Sequence, residues 1–94
     1  MKTLPKDAIC YRKTPVFTQD QIPEGFLTRH STKKGIWGKI NVVSGSLRYR
    51  INADILEEHT LTPTKFGIVE PEVPHQVQPL GEVEFYVEFY RLPK

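Results

Sequence analysis

An all-β domain, an antiparallel barrel or double-sheet jelly roll with little or no helix, is what this sequence predicts. Three observations carry that prediction. Eight prolines and six glycines punctuate the 94 residues, which suits short strands and turns better than helices. Leu47, Tyr49 and Ile51 alternate with Ser46, Arg48 and Arg50, the period-two pattern of a half-buried strand. Val83, Phe85, Val87 and Phe89 share one face of a second such run, with Glu84, Tyr86, Glu88 and Tyr90 on the other. Short strands at regular spacing are the mark of closed or double-layered antiparallel architectures.

Taken in order, the first expected strand is Ile9 to Arg12. Pro15 to Thr18 follows, and its proline suggests an edge. Gln19 to Pro23 is a polar loop, and Gly25 to His30 is a third strand with Phe26 and Leu27 as its apolar content. Trp37 to Val43 and Ser46 to Ile51 read as a hairpin joined at Ser44-Gly45-Ser46. Ala53 to His59 is the best helical candidate, though short, and reads equally well as a loop entering a strand at Glu58 to Leu61. Phe66 to Val69, His75 to Gln78 and Val83 to Arg91 complete the set. The polar-aromatic face of that last strand suits a cavity lining, a subunit interface or open solvent. The tail Leu92-Pro93-Lys94 is short, and nothing is expected to follow the domain.

Residues 1–94 make one domain by length, and one small enough that a partner subunit would help its stability. A net charge of +2 with scattered lysines and arginines gives no basic stripe for nucleic acid. No run approaches the roughly 18 apolar residues of a membrane span. One cysteine, Cys10, rules out an internal disulfide and leans toward a reducing compartment, with the thiol read as a small buried hydrophobe. The first residues, MKTLPKDAICYRK, lack the apolar core of a secretion signal, so a cytoplasmic protein is expected.

The runs ICYRKTPVFT, RHSTKKGIWGKINVVSGSLRY, EEHTLTP, VEPEVPHQV and EFYVEFY carry a family likeness. Together they resemble the N-terminal domain of TehB-type tellurite-resistance proteins and the stand-alone YeaR-like small proteins. The likeness runs from about Ile9 to Tyr90. Its most specific parts are His-x-Thr-Lys-x-Gly-x-Trp-Gly-Lys, from His30 to Lys39, and Glu-Pro-x-x-x-His, from Glu70 to His75. The resemblance implies a cupin-like β-barrel and a link to tellurite or other oxyanion stress. In TehB the domain precedes a methyltransferase that uses S-adenosylmethionine. This sequence has no room for that domain, so neither methyl transfer nor a nucleotide cofactor is expected. The first cupin motif is degenerate, because Gly38-Lys39 stands where its glutamate would be. The second, ending at Pro74-His75, fits better.

For chemistry, the sequence offers His30, His75 and Glu88 on three different expected strands. Imidazoles and a carboxylate converging inside a barrel would hold zinc, iron, nickel or copper. Glu70 and Glu72 compete with Glu88, and His59 sits in a polar stretch beside Glu57 and Glu58. The competing reading makes His75 a backbone-bonded histidine and His30 a buried polar residue of the hairpin. Trp37, Lys39 and Tyr86 are expected to line a pocket. Lys34, Lys39 and Arg48 could draw in an oxyanion, or simply form a solvated face. There is no nucleophile motif and no phosphate-cradling loop. Two functions remain open: a metal-binding cupin with minor activity, and a non-catalytic module that binds a small molecule or protein. A homodimer is expected, since strand edges need covering.

Overall fold

The computed structural model describes residues 1–93, and Lys94, the end of the expected tail, lies outside them. The chain forms β1 (Ile9–Lys13), β2 (Phe17–Thr18), a single helical turn α1 (Glu24–Leu27), β3 (Ile36–Asn52), β4 (Leu56–Leu61), β5 (Gly67–Val69) and β6 (His75–Arg91). The fold is all-β and antiparallel throughout, with one four-residue helical turn.

Its frame is a ribbon of two 17-residue strands, β3 and β6. They pair from Ile36 opposite Arg91 to Ile51 opposite His75. Each takes up two of the strands expected from sequence. Ser44-Gly45-Ser46 is therefore not a hairpin turn, which corrects the sequence reading. The ladder is irregular between Val42 and Ser44 and again between Gly45 and Leu47. Bulges of this kind bend a strand and increase its twist. Gly45 and Gly81 face this corner from the two strands, with φ of 79° and 80°. A glycine that lets the chain reverse and a glycine that lets a paired strand bend leave the same mark in a sequence.

The corner also shifts which residues point inward. Before it, Gly38, Ile40 and Val42 are buried; after it, Leu47, Tyr49 and Ile51 are. β5 lies along the first half of β3 and β4 along the second. β1 and β2 lie along the free edge of the second half of β6. The result is one six-stranded sheet, ordered β1-β6-β3-β4, folded at the corner. Ile40, Val42, Phe85 and Val87 from one side and Leu47, Tyr49, Leu61 and Val77 from the other share one buried core.

Tyr49 ties the halves together. Its hydroxyl donates to the Ile68 carbonyl on β5 at 2.8 Å. Burial, then the charges of Glu70 and Glu57, push its pKa upward, so the phenol stays a donor. Tyr49→Phe should cost about 1–2 kcal/mol, the net worth of a buried hydrogen bond plus its orphaned acceptor. Urea unfolding with an unchanged slope would register that loss.

Two other expectations are corrected, and one open choice is decided. Gly25 to His30 is not a strand: Pro23 opens the turn α1, with the Phe26 N–H donating to the Pro23 carbonyl at 2.9 Å. Two apolar residues in a row cannot separate a strand from a helical turn. Of the two readings of Ala53 to His59, the structure takes the loop entering a strand and not the helix. Asn52 already pairs with Leu56, so Ala53-Asp54-Ile55 is a tight loop between strands, and Ile55 is 80% exposed. Seven residues are too few to nucleate a helix against an available ladder. Cys10 is exposed on β1 rather than buried.

Candidate functional site

The local chain geometry brings His30 and His75 together. Pro74 forces an extended entry into β6, and Ser31 lies past the end of the α1 turn. The two histidines meet as an isolated antiparallel bridge. The His75 N–H donates to the His30 carbonyl at 2.7 Å, and the His30 N–H donates to the His75 carbonyl at 3.1 Å. Residues that exchange both bonds project their side chains to the same side. The rings accordingly lie against each other in a tilted contact, with centroids 4.4 Å apart and planes inclined by 54°. Phe26 meets the His30 ring edge-on at 5.6 Å, and Tyr49 meets the His75 ring edge-on at 6.1 Å.

Each imidazole is anchored in the same way. His30 Nδ1 bonds the Thr28 carbonyl at 3.0 Å, and His75 Nδ1 bonds the Val73 carbonyl at 3.0 Å. A carbonyl oxygen can only accept, so the proton sits on Nδ1 in both rings. In the neutral rings Nε2 then carries the lone pair. His75 is 3% exposed. Burial lowers its pKa to about 4, the Val73 carbonyl works against that shift, and the neighbouring His30 adds to it. His75 is therefore neutral at physiological pH.

The pair forms one wall of a pocket of about 310 Å³. The sheet side is apolar: Ile40, Val69, Val77, Phe85, Val87 and Phe89. The other side is the segment from Pro23 to Thr32, with Phe26 pointing in. Phe85, Val87 and Phe89 of this lining are on the apolar face of the last strand that the sequence showed. A core face and a pocket face have the same period, so alternation alone does not separate the two.

The structure places the other expected residues elsewhere. Glu88 alternates with the buried Val87 and the partly buried Phe89 and so points to the opposite face of β6, where its Oε1 accepts from Asn41 Nδ2 at 2.9 Å. Tyr86 shares that outer face, with Lys13 Nζ 4.6 Å from its ring centre. Lys39 Nζ lies 4.4 Å from the centre of the Phe66 ring. Trp37 pairs in register with Tyr90, half-buried. None of Trp37, Lys39 and Tyr86 lines the histidine pocket. His59 bonds Glu57 Oε1 at 3.1 Å on β4. Glu72 is exposed on the loop before β6. Among the described residues no group of three or more His, Cys, Asp or Glu side chains is placed to hold a metal ion. The set His30, His75 and Glu88 thus does not assemble as a three-ligand centre.

Fold and site together define a small antiparallel β domain with an apolar pocket walled in part by two adjacent histidines. The family model for the TehB-like domain matches residues 12–87, and the chain belongs to that family. It is 38% identical over 89 residues to a protein of Haemophilus influenzae named probable S-adenosyl-L-methionine-dependent methyltransferase TehB, covering 89% of this chain and 31% of that protein. The chain thus spans about a third of the length of the curated relatives it matches. The crystal structure of TehB from H. influenzae superposes with a TM-score of 0.85 at 37% identity, covering 93% of this chain and 32% of that one. A protein from E. coli (strain K12) is similar over the full length of both chains, with a TM-score of 0.89 at 23% identity, which speaks for the fold alone.

Proposed function

We propose that this domain is a binding module whose pocket takes a small, largely apolar molecule, oriented by the Nε2 atoms of His30 and His75. One observation carries the reading: an apolar pocket of about 310 Å³ whose polar wall is a pair of anchored imidazoles. Ligand sites are typically apolar cavities with a few placed polar groups that fix orientation. The reading extends to a cytoplasmic homodimer. The small size supports the dimer, as do the unpaired outer edge of β4 and the exposed Ile55 and Leu56 where it begins. No helix among the described residues is long and apolar enough to cross a membrane. A part in tellurite or oxyanion response rests on the family resemblance, and a fold does not fix a function.

A metal held by the two histidines is the second reading. Its support is the paired Nδ1-to-carbonyl bonds, the outer-shell pattern that fixes metal-binding imidazoles. Zinc, iron, nickel or copper would need its remaining ligands from solvent or from a bound molecule.

A fragment screen by protein-observed NMR, run beside elemental mass spectrometry of the untagged protein, tests both. Pocket binding predicts shifts clustered on Phe26, His75 and Phe85 that vanish in Val87→Phe, a variant that fills the cavity. Near-stoichiometric metal that falls in both His30→Ala and His75→Ala would favour the second reading. No metal, and no uptake when the four ions are added back, would remove it.

A further inference from the structure

We infer that the ligand presents a hydrogen-bond donor to the histidine pair, on a neutral hydroxylated or N–H-bearing ring, and that anionic oxygens are turned away. The inference rests on the binding reading above and specifies the ligand's chemistry. It starts from the two carbonyls. Thr28 and Val73 each take the Nδ1 proton of a ring, and a carbonyl offers no alternative to accepting it. The hydrogen bonds of both rings run through Nδ1, and no buried side-chain nitrogen among the described residues lacks a partner, so each Nε2 is open to the pocket space and, in the neutral ring, presents its lone pair there. The two rings lie close together, with centroids 4.4 Å apart, and both line the same pocket.

Nothing around them reverses that polarity. The pocket lining contains no lysine and no arginine. The Thr32 hydroxyl already donates to the Ile36 carbonyl at 2.8 Å, so it too meets a ligand only as an acceptor. Ser31, exposed at the mouth, is the lining hydroxyl left to donate. A carboxylate or a fully ionised oxyanion placed here would face lone pairs in an apolar wall, where an uncompensated charge is costly. An O–H or N–H meets a matched acceptor.

Size and shape narrow the class further. An apolar cavity of about 150 Å³ holds benzene. This pocket is about twice that, and Phe26, Phe85 and Phe89 offer ring faces and edges. A fused two-ring molecule or a substituted single ring matches it.

The test is a matched series titrated into the ¹⁵N-labelled full chain at pH 7.4: 2-naphthol, 2-methoxynaphthalene and 2-naphthoate. The three share one ring system and differ in being a donor, an acceptor and an anion. The expected order puts naphthol about ten-fold tighter than its methyl ether, the scale of one hydrogen bond, with naphthoate weakest. Equal affinity for naphthol and ether, or a preference for naphthoate, overturns the donor inference and leaves the pocket reading standing. No binding by any of the three overturns both. A second measurement needs no variant and no ligand. Long-range ¹H–¹⁵N spectra of the imidazoles should show both rings with the proton on Nδ1, and a proton on Nε2 of either ring would overturn the inference directly.

Discussion

Gly45→Ala should destabilise the fold severely, while Gly81→Ala, at nearly the same backbone angle, should cost no more than about 1–2 kcal/mol. Both glycines sit at the corner of the β3–β6 ribbon, with φ of 79° and 80°. For each, an alanine in the left-handed region costs about 1–2 kcal/mol, part of it recovered because alanine stiffens the unfolded chain. The surroundings then separate them. A Cβ on Gly81 meets nothing within 4 Å, whereas one on Gly45 would lie 2.1 Å from the Glu82 carbonyl oxygen and 3.0 Å from the Val83 Cα. Those are backbone atoms of the paired strand and cannot swing aside as a side chain would. The strands would have to part where the sheet folds. The combined penalty is roughly 3–5 kcal/mol, a large share of the stability of so small a domain. Urea midpoints for the two variants check this. If Gly45→Ala loses no more than Gly81→Ala, the two strands do not approach so closely at the corner.

Acid should destabilise the protein earlier than its carboxylates would. His75 has a folded pKa of about 4 against an ordinary value of 6.5. Above pH 6.5 the ring is neutral in both folded and unfolded chains, and its neutrality costs nothing. Between 6.5 and 4 the unfolded chain takes up a proton that the folded chain refuses, so stability falls with pH through that window. The loss is on the order of 3 kcal/mol by pH 4. Glu57, held below its usual pKa by the amino-terminal ammonium and His59, and Glu58, held down by Arg50, act in a lower window. Their stabilisation is present above about pH 4.5 and is lost only below it. Stability measured from pH 7.5 to 3.5 should therefore fall in two stages. His75→Phe should flatten the upper stage and leave the lower one. A single stage below pH 4.5 in the unaltered protein would mean that His75 is more hydrated than its burial implies.

The strands were legible in the sequence because alternation is a strong local signal. Leu47, Tyr49 and Ile51 point inward as their spacing predicts, and so do Val83, Phe85 and Val87. The corner was not legible. Ser44-Gly45-Ser46 has turn composition, and only the partner strand decides whether a glycine there reverses the chain or bends it. The same limit applies to Ala53-Asp54-Ile55, where pairing of Asn52 with Leu56 overrides a weak helical pattern. At the site, the meeting of His30 and His75 follows from two motifs that sequence could mark but not dock. Glu88 shows the converse. Its alternation with Val87 was readable, but which face looks into the pocket depends on how the sheet folds over.

The long β3–β6 ribbon has a consequence for how the molecule forms. Its first rung joins Ile36 to Arg91, and β1 also docks against the far end of β6. Nearly every stabilising pairing thus waits on residues 75–91, while β4, hairpinned to β3, is the main local exception. Contacts so distant in sequence require closing large loops before any reward, which places such topologies among slow folders, on the order of milliseconds to seconds. During synthesis β3 can pair first with β4 and β5, its ladder with β6 can begin with Ile51 opposite His75, and the ladder is complete only once Arg91 has emerged.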